Sequence, residues 1–129
     1  MLQFEELKLE LEGLKPEIDD LADALGLKSI MSEIEQLEHR AAEPGFWDDM
    51  EKSQKILQRT SNLKTKVEEF EKLKASYDDT MTLIELGNEE EDLSLLDEAK
   101  AELEEVKKNL EKQRLKTLLT GEYDKNNAI

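Results

Sequence analysis

Carboxylates and amines carry nearly all of the chemistry open to this sequence. It has 33 Asp and Glu and 18 Lys and Arg, against one histidine and no cysteine. Without cysteine there is no disulfide, no thiolate nucleophile and no Cys/His zinc site. The single histidine, His39, has no second imidazole to share a metal with and reads as a residue on the polar side of its helix. Two carboxylates can act as general acid and base, but only in a pocket that pushes their pKa values apart. A thin helical rod offers no obvious one. The run Glu89-Glu90-Glu91-Asp92 lacks the alternating ligands and central glycine of a calcium loop. It reads as a solvated turn that places negative charge at a helix start. No glycine-rich phosphate cradle occurs. The expectation is a non-enzymatic chain with no cofactor and no metal.

The charges are unevenly distributed, and this points to binding. Seven acids and no base lie between Glu85 and Glu98. By contrast Lys52, Lys55, Arg59, Lys64 and Lys66 are opposed only by Glu51, and Lys107, Lys108, Lys112, Arg114 and Lys116 only by Glu111. If the chain folds back near residues 87–92, the second basic group lies beside residues 63–72. The rod then has an acidic tip and a basic flank, the flank being the candidate side for phosphate. The competing account is helix-dipole complementarity, acids at helix starts and bases at ends. Lys52 and Lys55 run against it, because they sit near a helix start.

These side chains must be positioned by helices. Phe4, Leu7, Leu11, Leu14, Ile18, Leu21 and Leu25 recur at alternating gaps of three and four, a seam along one helix face. Pro16 predicts a kink there, or a restart with proline in the first turn. Leu27, Ile30, Ile34, Leu37 and Ala41 form a shorter second seam after Gly26. A third helix is predicted from about Asp48 to Leu86, with Leu63, Val67, Phe70, Tyr77, Met81 and Ile84 on its seam, Lys74 as a gap and Gly87-Asn88 as its stop. Capped by Asp92 or Ser94, a fourth helix carries Leu96, Ala99, Leu103, Val106 and Leu110, extended by Leu115, Leu118 and Leu119 and ended by Gly121. Helices three and four make an antiparallel hairpin, and the first two, antiparallel in turn, cover it. The predicted fold is all-α, an elongated antiparallel bundle of about four helices. It comprises residues 1–119, with 120–129 starting a connection.

One segment breaks the repetition. Pro44-Gly45-Phe46-Trp47-Asp48-Asp49 stops a helix with proline and glycine, then offers two adjacent aromatics and an acidic helix start. Asp48 is the expected cap, with Glu51 at capping-box spacing. Phe46 and Trp47 are expected to plug the end of the bundle.

Composition agrees with a solvated helical rod: 40% charged, 5% aromatic, five glycines and two prolines. A length of 129 residues requires only one core. No apolar run approaches the roughly 20 residues of a membrane span, and Met1–Glu6 has no basic leader, so neither a membrane nor a secretory route is expected. The net charge of -15 opposes autonomous binding to nucleic acid.

The turn at Pro44–Asp49 and the late segment Leu118-Leu119-Thr120-Gly121-Glu122-Tyr123-Asp124 together resemble the N-terminal helical domain of the bacterial peptide chain release factor 2 family. Trp47 and Gly121-Glu122-Tyr123-Asp124 resemble that family and not its sister, which reads a different stop-codon set. The resemblance covers the whole chain. It implies a cytoplasmic translation termination factor that recognises UGA and UAA and promotes release of the nascent peptide. That family's Ser-Pro-Phe codon-reading tripeptide and Gly-Gly-Gln loop do not occur in this sequence. The implied role is therefore contact: with the ribosomal stalk base, its RNA and protein, and with release factor 3, by a fragment expected to be a monomer. The alternative is a structural coiled coil or helical adaptor, which predicts continued heptads beyond Ile129 where the release factor predicts a strand and a glycine-rich stretch.

Overall fold

The computed structural model describes residues 1–120. Five α-helices follow in order: α1 Leu2–Glu12, α2 Lys15–Leu25, α3 Leu27–Ala41, α4 Met50–Glu90 and α5 Leu96–Leu119. Short 3-10 turns at Phe46–Asp48 and Leu93–Leu95 precede α4 and α5. There is no strand among the described residues. At ~1.5 Å rise per residue, the 41 residues of α4 make a spine of about 60 Å.

Every other helix runs antiparallel to that spine. Helix α5 folds back on it, where the Gln113 side-chain amide donates to the Glu69 carbonyl at 2.9 Å. On the same half of α4, the Met1 amine donates to Asn88 and Lys8 meets Glu85 at 3.4 Å. The contacts Lys107–Glu10 and Arg114–Glu17 share one sequence separation, 97 residues. Helices α1 and α2 therefore run parallel to α5, in constant register. Helix α3 continues in the same direction along the other half of α4. Leu25 shares a small cavity with Lys66 and Glu69, while Arg40 shares a groove with Lys52 and Ile56. The bundle is thus three helices thick at one end and two at the other. Its core holds Phe4, Leu11, Ile18, Leu21, Phe70, Leu73, Ile84, Leu103, Val106 and Leu110, all buried in one cluster.

The all-α elongated bundle and the long hairpin agree with the sequence reading; several details differ. The two alternatives at Pro16 merge. Gly13 and Leu14 keep right-handed dihedrals and Pro16 sits in the first turn of α2, so the axis restarts without reversing. The first predicted helix is therefore two. Gly26, at φ 67°, both ends α2 and starts α3. The second predicted helix accordingly follows the first along α4 and is not antiparallel to it.

Gly87 does not stop α4. It lies inside the helix because Phe4 packs on it; a Cβ there would meet the Phe4 Cε1 at 2.5 Å. The helix ends three residues after Asn88's predecessor, at Glu90, with Glu91 left-handed at φ 52°. The Asp92 N–H reaches the Gly87 carbonyl at 3.0 Å, the Schellman closure. At the start of α4 the cap is Asp49, not Asp48: its carboxylate accepts from the Lys52 N–H at 3.1 Å. The 3-10 turn consumes Asp48 and shifts the start by one residue. Asp92 caps the 3-10 turn before α5, accepting from the Ser94 N–H at 2.9 Å.

Two seams were also misread. The gap at Lys74 is filled by Leu73 and Thr80, both buried. On α5 the buried positions are Ala99, Leu103, Val106, Leu110, Gln113 and Thr117. The alternation of three and four continues unbroken through two polar residues, and Leu115, Leu118 and Leu119 are left exposed. The predicted end at Gly121 and the connection after Thr120 lie outside the described residues.

Candidate functional site

The flank proposed for contact is built on α4 and α5. Within it most of the cations are already engaged. Arg59 makes a two-pronged contact with Glu33 on α3, at 2.9 and 3.1 Å. Lys64 meets Glu38, also on α3, at 2.5 Å. Lys107 bonds Glu10 on α1 and lies 3.5 Å from Glu104. Arg114 contacts Glu17 on α2 at 3.1 Å and Glu111 at 3.5 Å. Lys116 reaches Glu69 on α4 at 3.0 Å. Lys55 pairs with Glu51 within α4 at 3.8 Å, with both side chains largely exposed. Lys66 is half-buried beside Leu25 and Glu69.

Five of the ten cations therefore tie one helix to another. Individually such surface pairs are weak. Collectively they fix which helix lies beside which, and they consume charge that would otherwise face a phosphate. Lys52, Lys108 and Lys112 have no acidic partner among the described residues. Lys108 and Lys112 are one turn apart on the outer face of α5, and Leu115 and Leu119 continue that exposed stripe.

The interhelical partners carried a signal that the sequence reading passed over. Glu10 and Glu17 are one heptad apart, as are Lys107 and Arg114. Matched spacings of opposite charge on two seams mark helices that run side by side.

The turn at Pro44–Asp48 is structural at its base and open at its tip. Gly45 adopts φ 84°, which favours glycine. The Ser53 hydroxyl, buried in the first turns of α4, donates to the carbonyls of Phe46 and Asp49 and ties the 3-10 turn to the helix. Phe46 is half-buried. Trp47, expected to plug the bundle, is instead 56% exposed. It meets Phe46 edge-on, ring centroids 5.0 Å apart at 83°. Only two helices meet at this end, so there is no core deep enough to enclose an indole.

Lys107, Tyr77 and Glu102 are displaced from their usual values. The hydrogen bond to Glu10 raises the Lys107 ammonium, against partial desolvation and with help from Glu104. Burial raises the Tyr77 phenol, with Glu12, Asp78 and Asp19 adding to it. Burial also raises Glu102, with Glu98 and Asp79 adding repulsion. None of the three lines any of the four surface grooves described. The coincidence of a cleft with a perturbed acid or base, which marks a reaction centre, is not formed in these grooves. What this arrangement does offer is exposed surface: Lys108 and Lys112 on the outer face of α5, an aromatic turn and an acidic hairpin tip.

The PCRF domain family matches residues 30–129. The chain belongs to that release-factor family. It is similar to peptide chain release factor 2 of Streptomyces avermitilis, 38% identical over 120 residues, 93% of this chain and 33% of that protein. To the same factor of Lactiplantibacillus plantarum it is 34% identical over 128 residues, 99% of this chain and 34% of the relative. For Clostridium perfringens the figures are 33% over 129 residues, the whole of this chain and 35% of the relative. The chain thus spans about a third of the length of the curated relatives it matches. No solved structure matches it. No described helix is long and apolar enough to cross a membrane.

Proposed function

We propose that this chain is the helical contact domain of a cytoplasmic translation termination factor, of the type that reads UGA and UAA. The observation that carries the proposal is the match, over the whole chain, to proteins named peptide chain release factor 2. The physical features support a contact role over a chemical one. The grooves hold none of the displaced acids or bases, and the chain contains neither a Ser-Pro-Phe tripeptide nor a Gly-Gly-Gln loop. Codon reading and peptide release then belong to the other two thirds of the factor.

In that role the partners are the ribosomal stalk base, with its RNA and protein, and release factor 3. The net charge of -15 weakens free binding to a phosphate-coated particle, so the rest of the factor supplies most of the affinity. Tethering raises the local concentration of this domain to about millimolar and makes a weak contact effective. Within the flank, Lys108 and Lys112 are the pair free to meet phosphate; the acidic hairpin tip suits a basic protein. The domain itself acts as a monomer.

The test uses stalled termination complexes at UGA, UAA and UAG. The 129-residue chain alone is expected to release no peptide at any of them. Codon-dependent release by this chain would overturn the division of roles. In the intact factor, Lys108→Glu with Lys112→Glu is expected to slow association with ribosomes at low salt and flatten its salt dependence. An unchanged rate removes this face from the contact.

A further inference from the structure

Helix α3 is held to α4 by little apolar surface. Ile30 is its one buried residue, and Ile34, Leu37 and Ala41 on the same seam are only half-buried. Opposite them α4 offers Leu63, but Ser53 and Thr60 also take buried positions, with the Thr60 hydroxyl turned back on the Ile56 carbonyl at 2.8 Å. Ile30 and Leu63 are not among the side chains of the main core, which on α4 begins at Phe70; of the α3 seam only Leu27 packs against it. The two-helix end is thus a small cluster of its own.

Charge supplies what packing lacks. Glu33 and Glu38 of α3 pair with Arg59 and Lys64 of α4. Residues 50–66 carry five bases and one acid, whereas α3 carries two bases and three acids. In the three-helix end both sides are acidic: eight acids and two bases in residues 1–26 lie against sixteen acids and eight bases in residues 67–119. Both ends of α3 adjoin a left-handed glycine, Gly26 at φ 67° and Gly45 at φ 84°. The Ser53 hydroxyl fastens the turn after Gly45 to α4, which leaves the bend itself at Pro44-Gly45.

We propose that α3 is a salt-sensitive strap: it lifts off α4 as a unit between Gly26 and Gly45 while the three-helix end stays folded, and its lifting unmasks the basic strip of residues 50–66. Closed, the strap sets the carboxylates of Glu33 and Glu38 on Arg59 and Lys64. Lifted, it withdraws them and turns both cations toward any anionic surface nearby. The inference stands on packing and charge within the chain and does not depend on the ribosome contact. Local opening of this kind is drawn from the parts of a fold with the fewest buried apolar contacts. Its salt response has a distinctive sign. Screening shortens from about 10 Å at 0.1 M to about 3 Å at 1 M and weakens attraction between exposed opposite charges. The same screening relieves repulsion between like-charged helices. Salt therefore loosens α3 and does not loosen the three-helix end.

Hydrogen exchange of the 129-residue chain, read by mass spectrometry at about 0.05 M and about 1 M sodium chloride, tests the strap. Amides of residues 31–41 are expected to exchange about tenfold or more faster than those of residues 103–113 on α5. High salt is expected to accelerate the first group severalfold and not the second. Glu33→Gln with Glu38→Gln, at solvent-accessible positions, is expected to bring the low-salt exchange of α3 up to its high-salt rate and leave α5 as it was. Ile30→Ala is expected to strip α3 of protection with α5 still protected. The proposal is overturned if α3 and α5 exchange at one rate, if salt slows α3 or leaves it unchanged, or if Ile30→Ala unfolds both ends together.

Discussion

Replacing Gly87 with alanine sets two opposing effects of known size against each other. In an exposed helix interior, glycine to alanine stabilises by about 1 kcal/mol. Gly87 is in the interior of α4, but its new Cβ would lie 2.5 Å from Phe4 Cε1 and 2.7 Å from Cζ. The Phe4 ring is fully enclosed at 0% exposure and cannot yield without disturbing the core. Overpacking of this kind costs about 1–3 kcal/mol, and expelling the ring would cost about 3–5 kcal/mol. The repacking cost exceeds the propensity gain over most of its range, so the net expectation is a loss of up to about 2 kcal/mol, several degrees in Tm at the upper end. Thermal and urea melts followed by circular dichroism measure it directly. The same substitution in a Phe4→Ala background should reverse sign and stabilise by about 1 kcal/mol, because the obstructing ring is gone. If Gly87→Ala stabilises the wild-type chain, α1 does not dock on this part of α4.

Three further outcomes follow from local geometry and charge. Glu91 holds a left-handed conformation that costs a side-chain-bearing residue about 1 kcal/mol, so Glu91→Gly should stabilise by somewhat less than that in the same melts. Trp47→Ala should change stability by no more than about 0.5 kcal/mol, with the wild-type indole emitting at a solvated wavelength; a loss near 3 kcal/mol would restore the buried plug. Lys107 and Tyr77 are both raised in the folded chain, which therefore holds their protons more tightly than the unfolded one. Stability should be intact below the ordinary values of about 10 and fall as pH rises above them, and Tyr77→Phe should remove part of that fall. Flat stability through that range would contradict both assignments.

The seams show where sequence sufficed and where it did not. The run from Phe4 to Leu25 was legible because leucine and isoleucine occupy every third or fourth position, and burial follows that spacing. On α5 the same spacing continued through Gln113 and Thr117. Three nearby leucines drew the reading to the wrong face, because residue type was weighed above periodicity. Gly87 was taken for a stop because the reason for it, the Phe4 ring, lies at the other end of the sequence. Asp48 reads as the cap from sequence, and the cap is Asp49 because a 3-10 turn, invisible in the residue pattern, shifts the helix start. The basic flank was legible as composition. Its neutralisation by Glu10, Glu17, Glu33, Glu38 and Glu69 depended on which helices lie beside which, and only the heptad shared by Glu10/Glu17 and Lys107/Arg114 could have indicated part of that. The exposure of Trp47 follows from only two helices meeting at that end, a matter of tertiary packing that the local sequence does not contain.

The central claim is that this domain contributes contact and no chemistry to termination. Single-turnover peptide release at UGA, by an intact factor and by one lacking residues 1–119, tests it most directly. The account predicts that the truncated factor needs a higher concentration for half-maximal release while keeping, within a few-fold, the release rate at saturation. A truncated factor that binds with unchanged concentration dependence but has lost its saturating rate would contradict it, and would place part of the reaction within these helices.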